Sequence, residues 1–112
     1  MHAFDLAELL AAHAEAGNLY HEFLRVSALS AGLYILPAGK PDPQQPHTED
    51  EVYAIVSGRG HIRVADEDRP VQAGSVVYVA AGVAHHFHTI TEDLTILVLF
   101  APAQQRPAAT SG

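Results

Sequence analysis

Apolar residues recur along this chain in two different rhythms. From Leu6 to His13 they fall at helical spacing, with Leu6, Leu9, Leu10 and His13 on one stripe. Asp5 stands where an N-cap belongs, and Glu8, three residues on, completes the spacing of a capping box. Gly17-Asn18 supplies a C-terminal stop. The pattern predicts a short helix within residues 1–17 that packs as a lid on something larger, because one stripe cannot form a core alone.

From Leu19 the rhythm becomes that of strands. Leu19–Ser27, Ala31–Pro37, Glu51–Val56, His61–Ala65, Ser75–Val79, His85–Ile90 and Leu94–Phe100 are rich in Val, Ile, Leu, Tyr and Phe. Turn signals separate most of them: Pro37-Ala38-Gly39, Ser57-Gly58-Arg59-Gly60, Ala65 to Pro70, and Ala81-Gly82. Short strands at this interval predict an all-β barrel or sandwich over residues 18–102. Val52–Val56 is apolar on both faces, so both faces are expected to be covered. Leu19–Pro37 reads as edge-strand material, also apolar on both faces, and a homodimer is the expected cover. Residues 103–112, Pro- and Ala-rich without periodicity, read as a flexible tail.

Composition narrows the picture. The chain has 112 residues, enough for one core, and 48% of them are hydrophobic. Thirteen acidic against six basic residues give a formal charge of −7. No basic face can be assembled for nucleic acid or an anionic membrane. Cysteine is absent, which removes disulfides, thiolate metal sites and a cysteine nucleophile. Met1 to Asp5 lacks the basic start of a signal peptide, and Glu8 and His13 interrupt the apolar run, so a cytoplasmic protein is expected.

The candidate chemistry lies in two places. The run Gln45-Pro46-His47-Thr48-Glu49-Asp50-Glu51 is answered by Ala80-Ala81-Gly82-Val83-Ala84-His85. Alternation places Glu51, Tyr53 and Ile55 on one strand face, so either that face is solvent-exposed or Glu51, costly to bury unpaired, has a cation to bind. Two imidazoles and a carboxylate that meet when a sheet curls are a donor set for a divalent metal. Tyr53 either packs in the core or offers a phenol near that metal as a general acid or base. His85 and Phe87 share one face of a later strand. His86 and His88 take the other, so they are expected on the outer face or at an interface. His2, His13, His21 and His61 read as solvated, Gln44 as a surface residue, and Asp66-Glu67-Asp68 as a solvated turn.

These two segments resemble the motifs of the cupin superfamily of small jelly-roll (double-stranded β-helix) barrels. The first motif runs Gly, a gap, His-x-His, three or four residues, Glu, six residues, Gly. Gly39 opens it here, His47 is the second histidine, three residues separate it from Glu51, and Val52–Ser57 lead to Gly58. The second runs Gly, five residues, Pro-x-Gly, two residues, His. Gly74, Ser75–Val79, Ala80-Ala81-Gly82, Val83-Ala84 and His85 follow it, and the resemblance spans residues 31–101. The chain departs from the pattern at Gln45 in place of the first histidine, at Ala80 in place of the proline, and at Thr89 in place of the closing asparagine.

The resemblance implies a jelly-roll barrel with a short N-terminal helix and a divalent transition metal inside it. His47, Glu51 and His85 are its implied ligands, with Gln45 a fourth ligand, a residue that bonds metal-bound water, or a side chain that simply points outward. Fe(II) is favoured for a two-histidine, one-carboxylate set, and Mn, Ni, Zn and Cu also fit. A small molecule is the implied partner. Metal-dependent enzymes of dioxygenase, isomerase, lyase and cyclase type share this fold with non-catalytic binding or sensor modules, and the fold does not choose among them.

Overall fold

The computed structural model describes residues 1–105. Its elements are α1 (Leu6–Ala16), β1 (Tyr20–Val26), β2 (Leu29–Leu36), β3 (Asp50–Val64), β4 (Glu67–Gln72), β5 (Val76–Val79) and β6 (His85–Ala101). All strand pairs are antiparallel, in the order β1-β2-β6-β3-β4, with β5 on β3.

Two pairs of predicted strands are fused. Glu51–Val56 and His61–Ala65 are parts of β3, and the two last strands are parts of β6. What reads as a turn at Ser57–Gly60 is a bend in a continuous strand, where the β3–β6 register shifts repeatedly between Ile55 and His61. Gly58 sits there at φ 98°, and a Cβ on it would lie 2.1 Å from the backbone oxygen of Asp93 on β6. Only glycine allows the two chains to approach so closely. Bent this way, the ladder doubles back on itself, and the sheet becomes a jelly-roll barrel.

The predicted turn from Ala65 to Pro70 is corrected. The reversal takes only Ala65-Asp66, with Ala65 at φ 53°, and Glu67–Gln72 forms β4. Pro70 is tolerated because β4 ends the strand order.

The barrel interior is filled by alternate residues: Tyr34, Leu36, Tyr53, Ile62, Phe87, Leu94, Ile96, Val98 and Phe100 are at most 1% exposed. Each such large side chain contributes about 1.5–3 kcal/mol on burial. β2 is an internal strand between β1 and β6, so the exposed edge expected across Leu19–Pro37 shrinks to β1.

Helix α1 forms as its pattern predicts and ends at Gly17 in the left-handed conformation. The capping box does not form. Asp5 makes no side-chain cap, and its backbone oxygen accepts from the N–H groups of Glu8 and Leu9 instead. No helix residue is buried. The helix lies along the β1–β2 side, where Phe4 meets Phe23 edge-on at 4.9 Å and the His13 ring is 2.6 Å from the Leu19 carbonyl. It is therefore a cover for the sheet edge.

The expected tail is corrected at its start. Residues 103–105 are tied down: the Gln104 N–H donates to Ser30 Oγ at 2.8 Å, Arg25 donates to the Gln104 carbonyl, and the Gln105 N–H donates to Glu49 at 3.2 Å. Residues 106–112 lie outside the described residues.

Candidate metal centre

The two motif segments are locked to each other by the backbone. The Gly82 N–H donates to the His47 carbonyl at 2.7 Å, and the Ala81 N–H donates to Asp50 Oδ1 at 2.9 Å. Gly82, at φ 77°, makes the turn that permits this. Glu51 then begins β3 facing inward, and His85 begins β6 facing inward.

His47, Glu51 and His85 are brought together, with one donor atom from each within 4.8 Å of the others, and all three residues are buried. His85 Nε2 is 3.1 Å from Glu51 Oε1, and His47 Nε2 is 3.9 Å from Glu51 Oε2. Neighbouring ligands about 2.1 Å from a common ion lie roughly 3 Å apart. Both Glu51 oxygens and His85 Nε2 are buried without a hydrogen-bond partner, so the 3.1 Å approach does not follow a hydrogen-bond direction. Three such atoms turned towards one another are expensive to leave unsatisfied. This donor set is compatible with a divalent metal.

The imidazoles are held for that task. His85 Nδ1 is 2.7 Å from the Val83 carbonyl. A carbonyl only accepts, so Nδ1 carries the proton and Nε2 of the neutral ring is bare. His47 packs edge-on against Phe100 at 4.9 Å. The side-chain amide of buried Gln104 lies 3.5 Å from His47 Nδ1. The contact is made by the amide nitrogen, Nε2, which can only donate towards the ring. In the metal-free protein, burial opposes the charge of His85. The Glu51 carboxylate and the Val83 carbonyl outweigh it, so the pKa stands above the ordinary histidine value.

Tyr53 is fully buried beside this group, its ring centre 5.9 Å from that of His85. Its hydroxyl donates to Gln44 Oε1 at 2.7 Å. Burial first, then the charge of Glu51, pushes the phenol well above its usual pKa, so it keeps its proton.

Gln45 is exposed, in keeping with its outward-pointing alternative, whereas Gln44, expected at the surface, is buried, held between Tyr53 and Asp42. Asp42 anchors the loop, accepting from the Tyr34 hydroxyl at 2.5 Å and the Phe87 N–H at 2.9 Å. Strand alternation gives no register inside a loop, so nothing in the sequence separates Gln44 from Gln45. Gln104 was hidden in the same way, in a segment without periodicity. Tyr20 was assigned to a strand but not to the interior. Its ring lies across Gly32, and its hydroxyl is buried without a hydrogen-bond partner.

With this geometry in place, the family is plain: the chain belongs to the cupin domain family, whose profile matches residues 32–100. An uncharacterized protein of Streptomyces coelicolor is 54% identical over 104 residues, covering 93% of this chain and 99% of its own. Among solved structures, BH2720 from Bacillus halodurans superposes with a TM-score of 0.75 at 17% identity, over 97% of this chain and 87% of that one. The DMSP lyase DddQ from Ruegeria pomeroyi superposes with a TM-score of 0.67 at 22% identity, over 79% of this chain. The match spans about half of that lyase, 49% of its chain. At these identities the two structures share the fold.

Proposed function

We propose that this cupin holds a divalent transition metal on His47, Glu51 and His85 and acts on a small molecule as a metal-dependent enzyme of oxygenase, isomerase or lyase type. The observation that carries the reading is the buried Glu51 carboxylate, both of whose oxygens lack a hydrogen-bond partner, facing a similarly unsatisfied His85 Nε2. A carboxylate so placed costs several kcal/mol unless a cation faces it. Iron(II) is favoured by the two-histidine, one-carboxylate set.

When bound, such a metal supplies Lewis acidity and open coordination positions for a small molecule or dioxygen. The chain supplies the rest. Val83 fixes the His85 tautomer, and Gln104 and Phe100 hold the His47 ring. Tyr34, Phe87 and Phe100 keep the interior apolar. Tyr53, its pKa raised by burial, keeps its proton and donates it in a hydrogen bond to Gln44 Oε1, so beside the site it serves as a hydrogen-bond donor that can orient a bound molecule.

The test begins with elemental analysis of protein purified without chelator or nickel resin. Wild type is expected to carry stoichiometric metal, and His47→Ala and His85→Ala to lose it while remaining folded. Full metal in both variants would sink the assignment. The metal-loaded protein is then assayed for oxygen uptake and for conversion of a panel of small acids and polyphenols. Tight binding without any turnover would overturn the enzymatic part and leave a binding module.

A further inference from the structure

A second histidine group lies on the outside of the barrel, on the opposite face of the same strands. In the β3–β6 ladder His61 pairs with His88 and Arg63 with His86. In the β3–β4 ladder Arg63 pairs with Asp68. Ile62 and Phe87 point inward, so strand alternation turns His61, His86, His88 and Asp68 outward together. His86 and His88 lie on the outer face as the alternation predicts, whereas His61, read as solvated, is half-buried against them. The His61 and His88 rings stack with centres 5.4 Å apart, and His86 lies 5.6 Å from His88. His88 Nε2 is 2.8 Å from Asp68 Oδ2. His61 Nδ1 is buried and has no hydrogen-bond partner.

The geometry points to a second transition-metal site, formed by His61, His88 and Asp68 with His86 beside them, that takes an exchangeable borderline ion such as Zn(II). Two imidazoles sharing one tetrahedral ion at about 2.0 Å have ring centres roughly 5 Å apart. The outer pairs lie near that spacing, although the His61 and His88 planes, 29° apart, are stacked and their nitrogens have yet to turn towards a common point. The distance from His88 Nε2 to Asp68 is likewise that of neighbouring ligands on one ion. Among the described residues only the interior trio already brings three donor atoms within 4.8 Å, so the outer imidazoles must turn to converge, with His88 giving up its Nδ1 contact to Thr89 Oγ1 at 2.9 Å. His88 and Asp68 are each about one-third exposed, at 32% and 35%, so the ion can enter from solvent. Imidazole and carboxylate donors suit Zn, Cu and Ni. Arg63, 3.9 Å from Asp68, is a cation beside the group, and it is half exposed.

Against this stands the plainer reading that His88 and Asp68 form a surface ion pair on which His61 stacks. Zn(II) alone separates the two. Metal-stripped protein is titrated by calorimetry, and bound zinc is counted after dialysis, for wild type, His88→Ala, and the double variant His47→Ala/His85→Ala. Folding of each is verified by circular dichroism. Two equivalents are expected in wild type, one in His88→Ala and one in the interior double variant. A wild type and a His88→Ala variant that bind the same number of equivalents would overturn the outer site. If wild type binds a single equivalent that is lost in His88→Ala and kept in the interior double variant, the outer site stands and the interior assignment fails. His61→Ala serves as the second variant and is expected to weaken the outer equivalent without touching the inner one.

Discussion

His85 Nε2 lies 3.1 Å from Glu51 Oε1, although the two residues belong to opposite ends of one ladder. Glu51 pairs with Phe100 and His85 with Val64 along β3 and β6. They meet because both long strands bend and face themselves across the barrel. The meeting of His47, Glu51 and His85 is therefore a product of sheet curvature, and what disturbs the bend or the state of these groups should be felt at the site.

The first expectation concerns pH. His85 in the metal-free protein has a raised pKa. Protonated His85 therefore stabilises the apo fold fully below the unfolded value of about 6.5, and this contribution is lost as pH rises through the higher folded value. Metal requires the neutral ring, so protons displace it over the same range. Apo protein should melt at a higher temperature near pH 6 than near pH 8, and metal-loaded protein should show the reverse order. In His85→Gln the apo difference should shrink. Scanning calorimetry of both forms reads this directly, and identical slopes for wild type and variant would refute it.

Gln104 and Gln45 should behave differently. Gln104→Ala removes the amide behind His47 Nδ1 and is expected to weaken metal affinity about tenfold or more. Gln45, which is exposed, should tolerate alanine with no measurable change. Competition against a chelator of known affinity gives both numbers, and a larger loss for Gln45→Ala would show that the loop turns over when metal binds.

Gly58→Ala should be among the most damaging single-methyl changes in the barrel. It places a Cβ 2.1 Å from the Asp93 oxygen at a φ of 98°. A loss of more than about 2 kcal/mol is expected in urea unfolding. Because the bend carries Glu51 towards His85, metal affinity should fall with it.

For the homodimer expected from the sequence, the face that includes Val52 and Ala54, part of one of the two segments that suggested it, is a better candidate than the edge strand. Across β6, β3 and β5 the register aligns Leu99, Val52 and Tyr78 in one row and Leu97, Ala54 and Val76 in the next. Leu99, Tyr78 and Val76 are 37%, 60% and 68% exposed, and the two rows carry no charge. A second copy seated on this face would cover them, whereas the edge strand β1 already lies under the helix. Light scattering should give a dimer for wild type and a monomer for Tyr78→Glu combined with Leu99→Glu. A monomeric wild type would remove the proposal.

Much of this was legible in the chain itself. Alternation in Glu51, Tyr53 and Ile55 placed a carboxylate on a core face, and the spacing from Gly39 to Gly58 and from Gly74 to His85 marked the segments that carry His47, Glu51 and His85. These are local patterns, set by the two-residue period of a strand and by glycine's freedom at turns, and local patterns survive folding. The interior apolar residues were legible for the same reason.

What the tertiary structure alone decided depends on contacts between distant residues. The continuity of β3 through Gly58 depends on Asp93, thirty-five positions away. The choice between Gln44 and Gln45 depends on Tyr53 and Asp42, and the fixing of His47 depends on Gln104, fifty-seven residues on. The outer group depends on a register that sets His61 against His88. A sequence specifies which side chains a strand presents to each face. Which of them meet is fixed only when the sheet curls and pairs, since hydrogen-bond register and barrel closure are properties of the whole ladder.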